Sequence, residues 1–195
     1  MKMKSAQNDM TVGNPMKIIL SFTFPIFLGN VFQQFYNMMD TIIVGKFLGV
    51  SALASVGATG SINFMIIGFC MGVCNGFAIP VAQRFGAKDE HGMRKFVANS
   101  VWLSIIFAVV MAVLVCVFCR QILELMNTPE DIIDGSYSYI FVIFLGIPAT
   151  YMYNLLSGIM RSLGDSKTPL YLLIFSSILN IILDLLSIIV LKMGV

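Results

Sequence analysis

Five runs of mainly apolar residues alternate with short polar punctuation along this chain. Each is long enough for a helix that crosses a bilayer, which needs about 20 such residues. The runs cover 16–44, 52–81, 96–119, 132–163 and 170–191. Gly45 and Gly49 are expected to close the first, and Gly86 follows the second. Thr128-Pro129-Glu130-Asp131 predicts a helix start, with Thr128 as cap and Pro129 at the first helical position. In Gly164-Asp165-Ser166-Lys167-Thr168-Pro169 the glycine ends the fourth helix and the proline begins the fifth. The first and fourth runs exceed one bilayer thickness and call for tilt or an overhang into the interface. The pattern predicts an all-α integral membrane bundle of five transmembrane helices over residues 16–195, after an N-terminal segment of residues 1–15.

Composition strengthens this picture. The 195 residues are 58% hydrophobic and 11% charged, with a mean hydropathy of +0.90, whereas a soluble domain carries about 25% charged residues. There is too little polar surface to cover a globule, so the lipid bilayer is the expected surrounding. A net charge of +2 gives no reason to expect a nucleic-acid partner. The first apolar run does not resemble a cleaved signal peptide, because it is long, follows a polar lead and precedes no small-x-small site. Cys70, Cys74, Cys116 and Cys119 all lie inside apolar runs without a histidine beside them, so they are expected to fill helix contacts.

Loop charge sets orientation. Lys2, Lys4, Lys17, Arg84, Lys88, Arg94, Lys95, Arg161 and Lys167 fall on one side, and Lys46, Arg120 and Lys192 on the other, nine against three. That places the N-terminus in the cytoplasm and the acidic connection of Glu124, Glu130, Asp131 and Asp134 outside. Met193-Gly194-Val195 follows directly on the fifth run. With an odd number of crossings, this suggests the front part of a longer transporter, a class commonly built from two related halves.

Ionisable residues inside spans are unfavourable unless they serve a purpose, and Asp40 and Asp184 are the two that qualify. Asn30, Gln33, Asn37 and Asp40 recur at spacings of three and four, so they form one stripe on the first helix, widened by Gln34 and Thr41. Asn180 and Asp184 share a face of the fifth helix, with Ser176, Ser177 and Ser187 nearby. At 1.5 Å per residue, Asp40 lies about 8 Å and Asp184 about 12 Å below the external ends of their helices. Two carboxylates at similar depth, backed by Asn37 and Asn180, can hold a hard cation such as Na⁺ or, under burial and mutual repulsion, a proton. The alternative is that each aspartate makes only a structural hydrogen bond.

Other features have more ordinary readings. Gly60, Gly68, Gly72 and Gly76 form a small-residue ridge on the second helix that would let another helix approach closely. Pro25 and Pro148 are expected to kink the first and fourth helices, Pro25 either as a bending point or as a packing irregularity. Tyr137 and Tyr139 suit interfacial anchoring. Tyr151 and Tyr153 add polar tips, while the deeper Asn154 suits a cavity wall. His91 is expected in a charged cytoplasmic loop.

The run Phe32-Gln33-Gln34-Phe35-Tyr36-Asn37-Met38-Met39-Asp40-Thr41 is followed by Val44-Gly45-Lys46-Phe47-Leu48-Gly49 and Ala52-Leu53-Ala54-Ser55-Val56-Gly57. Together they resemble the opening of MATE (multidrug and toxic compound extrusion) transporters, in their bacterial drug-efflux branch. Ala82-Gln83-Arg84-Phe85-Gly86-Ala87, Ser157-Gly158-Ile159-Met160-Arg161-Ser162-Leu163-Gly164-Asp165 with Lys167-Thr168-Pro169, and Asn180-Ile181-Ile182-Leu183-Asp184 extend the likeness over nearly the whole chain. The resemblance implies twelve helices in two six-helix lobes, of which this chain holds helices one to five; the sixth helix and the C-terminal lobe are absent. It implies a plasma-membrane antiporter that exports cationic amphipathic drugs or metabolites in exchange for Na⁺ or H⁺, with no other cofactor. It also implies that Asp40, Asn180 and Asp184 form the cation site of the N-terminal lobe, joined by Asn154 and Tyr139.

Three other readings compete. An intramembrane aspartyl protease would need a Gly-x-Gly-Asp signature, and neither Asn37-Met38-Met39-Asp40 nor Ile181-Ile182-Leu183-Asp184 supplies one, so no enzyme is expected. A lipid-linked-precursor flippase of the same superfamily would favour a basic cavity, and no Lys or Arg falls clearly within a span. A truncated fragment without transport activity is the third.

Overall fold

In a computed structural model the chain is described over residues 13–190, with side chains through residue 188. Lys2, Lys4 and Lys192, the last residues of the fifth run and most of the N-terminal segment therefore lie outside the described residues. Seven α-helices follow one another: α1 (Pro15–Phe47), α2 (Gly49–Gly86), α3 (Glu90–Val117), α4 (Cys119–Leu125), α5 (Ile133–Leu145), α6 (Ile147–Ser162) and α7 (Lys167–Leu185), which continues into a π-turn at Leu186–Val190. No strand occurs among the described residues. Helices α1, α2, α3 and α7 are each long and apolar enough to cross a membrane, and α5 with α6 is long and apolar enough for a fifth crossing if the bent pair is one span.

The helix ends follow local chemistry. Pro15 opens α1, where its missing N–H is no loss, and the Asn14 side chain accepts from the Met16 amide at 3.0 Å. Asp89 caps α3 by accepting from the Gly92 amide at 2.9 Å. Helix α3 thus starts before the expected residue 96 and carries His91 in its exposed first turn rather than in a loop. Gly164 ends α6 at φ +85°, a conformation that costs glycine little. Asp165 then accepts from the Lys167 amide, the Thr168 amide and the Thr168 hydroxyl at 3.1, 3.0 and 2.6 Å, which organises the start of α7.

Three expectations need correction. The fourth span is two helices bent by 45° at Gly146, and Pro148 sits in the first turn of α6 rather than inside a kinked helix. The Gly146 amide closes the end of α5 by donating to the Val142 and Ile143 carbonyls. Thr128 does not cap α5, whose start lies at Ile133. Pro129 instead opens a turn closed by the Ile132 amide donating to its carbonyl at 3.1 Å, a three-residue step that delays the α-helix by one turn. Among the described residues nothing packs on the α2 glycines: a Cβ at Gly60, Gly68, Gly72 or Gly76 would meet nothing within 4 Å.

Packing divides the bundle in two. Ile62, Ile66, Cys70 and Cys74 of α2, Ala108, Ala112 and Val115 of α3, and Ile140, Phe144, Ile147, Tyr151 and Leu155 of α5 and α6 form one buried cluster. All four cysteines are free thiols, and Cys70, Cys74 and Cys119 are buried in that cluster. Helices α1 and α7 pack along each other, with Gly29 facing Leu170 and Leu173, and bury few residues. Their exposed Phe, Leu and Ile side chains make an apolar surface of the kind that lipid covers.

Candidate functional site

The seam between the α1–α7 pair and the α2–α6 core opens into a cavity of about 600 Å³. The α1 stripe faces it: Asn30, Gln33, Asn37, Asp40 and Thr41 all line the wall, with Pro25 at one end. The i, i+3, i+4 spacing puts these five side chains on the one side of α1 that borders the cavity. Pro25 is buried within an α1 that continues as a helix on both sides of it. Gln34 points elsewhere, its Oε1 accepting from Asn37 Nδ2 at 3.3 Å, and Pro148 does not line the cavity. The Thr41 hydroxyl donates to the Asn37 carbonyl at 2.8 Å, which satisfies it within the helix.

Tyr139 of α5 and Asn154 of α6 line the same cavity. Tyr139 therefore faces the interior and not an interfacial belt; its neighbour Tyr137 stacks on Phe141 with ring centroids 5.5 Å apart. The Asn154 side-chain amide donates to the Thr150 carbonyl at 2.8 Å, which leaves its Oδ1 as the free acceptor. Tyr151 belongs to the core, 2% exposed.

Asn180 and Asp184 do not line the cavity as far as it extends. Both are half-buried on α7, and Asp184 stands at the last α-helical turn before the π-turn. Single π-turns widen a helix locally and are frequent at functional positions. Asp184 lies within electrostatic reach of Asp40, and both carboxylates act on Tyr36 and Tyr139. The Oδ1 of Asn180 and one carboxylate oxygen of Asp184, Oδ2, are buried without a hydrogen-bond partner. Buried acceptors are nearly always satisfied, so two orphaned oxygens one helical turn apart fit a site that takes up a cation or a proton.

Sequence reasoning missed four contributors. Thr59 and Asn63 of α2 line the cavity, and Asn63 Oδ1 is also buried and unpartnered. Their i, i+4 spacing in an apolar span was the available signal. Tyr36 stands one turn from Asp40 and feels both carboxylates. Arg161 corrects the expectation of a cavity without basic residues: it lies in α6, lines the cavity, and its Nε donates to the Ser157 carbonyl at 3.2 Å.

The MatE family model matches residues 25–186. The chain belongs to the MATE family. It is 36% identical over 162 residues to the probable multidrug resistance protein YoeA of Bacillus subtilis, covering 83% of this chain and 35% of that protein. Against the probable multidrug resistance protein YpnP of the same organism it is 32% identical, over 96% of this chain and 42% of the relative. The chain thus spans well under half the length of these MATE relatives. Its helices superpose with a TM-score of 0.88 and 26% identity on a multidrug resistance MATE transporter of the MOP superfamily solved in an outward-facing conformation, covering 99% of this chain and 43% of that one. The five crossings seen here are accordingly most of one lobe of the MATE fold.

Proposed function

We propose that this chain forms the N-terminal, ion-coupling lobe of a drug exporter that exchanges Na⁺ or H⁺ for cationic amphipathic compounds across the plasma membrane. Asp40, Asn180 and Asp184 take the coupling ion, and Tyr139 and Asn154 join them from the cavity wall that Asp40 shares. The N-terminus faces the cytoplasm, a reading that the excess of Lys and Arg on that side supports. Export needs the C-terminal lobe that longer relatives carry.

One observation carries the reading: Asp40 and Asp184 are close enough for their charges to repel, and Asp184 Oδ2 and Asn180 Oδ1 lack partners. Two carboxylates so placed hold a positive charge between them better than either does alone. Na⁺ suits the all-oxygen donor set. A proton suits the low-dielectric setting equally well. Substrate and ion then compete for the same negative field at one end of the cavity, which is what an exchange cycle requires.

The test uses the complete protein in inside-out vesicles, with Na⁺ and pH gradients imposed separately. Asp40→Asn and Asp184→Asn should each abolish dye efflux while membrane insertion persists. Normal export by both variants sinks the proposed site, and the gradient that drives wild-type efflux names the ion.

A further inference from the structure

A second cleft of about 850 Å³ runs along the first three turns of α1, meets the polar cavity at Pro25 and reaches the start of α7. Its walls are almost wholly apolar, with Leu20, Phe24 and Phe27 each 60% exposed or more. Its polar end carries Lys17 and Lys167, both exposed, and among the described residues no carboxylate lines it. Asp165 lies near that end, but its carboxylate is engaged by the first-turn amides of α7 and the Thr168 hydroxyl. From Lys17 to Phe27 the helix rises about 15 Å, half of a hydrocarbon core about 30 Å thick. The cleft therefore has the depth of one leaflet, with its two ammonium groups at headgroup level.

We infer that this cleft between the start of α1 and the start of α7 binds an anionic phospholipid of the surrounding leaflet, phosphate on Lys17 and Lys167 and one acyl chain along Leu20, Phe24 and Phe27. Charge complementarity chooses the occupant: Lys17 and Lys167 outnumber the Asp165 carboxylate at that end, a zwitterionic lipid would bring its own cation to the two lysines, and an anionic headgroup would not. Basic pockets at helix ends recognise acidic headgroups in this manner. The inference rests on the membrane-spanning fold alone and stands apart from the coupling-ion reading.

The full chain in mild detergent, titrated with phosphatidylglycerol or phosphatidylcholine and weighed intact by native mass spectrometry, tests it. Two lysines near the surface should favour phosphatidylglycerol by about thirtyfold. Lys17→Gln with Lys167→Gln should remove that preference, while Lys17→Arg with Lys167→Arg keeps it and controls for misfolding. Leu20→Trp, which fills the cleft, should weaken retention of both lipids. Equal affinity for the two lipids, an undiminished preference in the glutamine variant, or a wild-type chain that retains no lipid overturns the inference.

Discussion

A Cβ placed on Gly135 would stand 2.8 Å from the Ser55 hydroxyl oxygen, so α5 and α2 touch at a point where a larger residue would displace that hydroxyl from its hydrogen bonds. The contact is reinforced on both sides. Ser136 Oγ donates to the Ser55 carbonyl at 3.2 Å, and the Ser55 hydroxyl lies 3.1 Å from the Ser51 carbonyl and 3.4 Å from the Ile132 carbonyl. Gly135→Ala should destabilise by about 1–3 kcal/mol, the usual range for an overpacked contact. Adding Ser55→Ala removes the clashing oxygen and should recover part of the loss. Thermal unfolding in detergent of the two single variants and the double reads the coupling directly; strictly additive losses would show that the helices do not meet there.

Asp40 and Asp184 should behave as a unit. If each holds the same ion, Asp40→Asn and Asp184→Asn each remove nearly all export, and the double variant is no worse than either single one. Initial dye-efflux rates in vesicles of the complete protein measure this. Independent, multiplicative losses would assign the two carboxylates to separate tasks.

The glycines of α2 give a prediction of the opposite sign. Gly68 and Gly72 have open space where a Cβ would go, and alanine is a better helix former than glycine by about 1 kcal/mol in a helix interior. Gly68→Ala and Gly72→Ala should therefore leave the melting temperature of this chain unchanged or raised. A clear fall in either would reveal a helix packed on the ridge.

At the α2–α3 turn, the Gly92 amide and, after it, the Arg84 guanidinium at 2.9 Å hold the Asp89 carboxyl below its usual range. A lowered folded value means the stabilisation is present above about pH 4, the unfolded value, and is lost as pH falls through the folded one. Asp89→Asn keeps a good capping side chain but gives up the attraction to Arg84. It should lower the melting temperature at neutral pH, with the difference from wild type closing as the pH is taken below 4. A constant gap across that range would assign the effect to the cap alone.

Much of this was legible in the sequence because membrane helices announce themselves by length, and because Asn30, Gln33, Asn37 and Asp40 repeat with the helical period. The break at Gly146 was not legible, since a Gly-Ile-Pro step is equally compatible with a kink inside one helix. The start of α3 was hidden because Glu90, His91, Arg94 and Lys95 read as loop, although Asp89 three residues before Gly92 is a cap signal. The cavity role of Asn63 was marked only by Thr59 one turn before it, and which partner that face of α2 meets is set by tertiary packing rather than by the spacing. The glycine ridge misled for a related reason: spacing shows that a surface is smooth and does not name what lies against it.

The division of the bundle has a mechanical consequence. Asp40 and Asp184 ride on α1 and α7, the two helices that pack on each other and bury least against the rest. Asn63, Thr59, Asn154 and Arg161, across the cavity, are fixed to the other body. Sliding one body past the other would change the aperture between the walls and leave the spacing of the two carboxylates as it was. The spacing of the two carboxylates and the width of the cavity are separate variables in this fold.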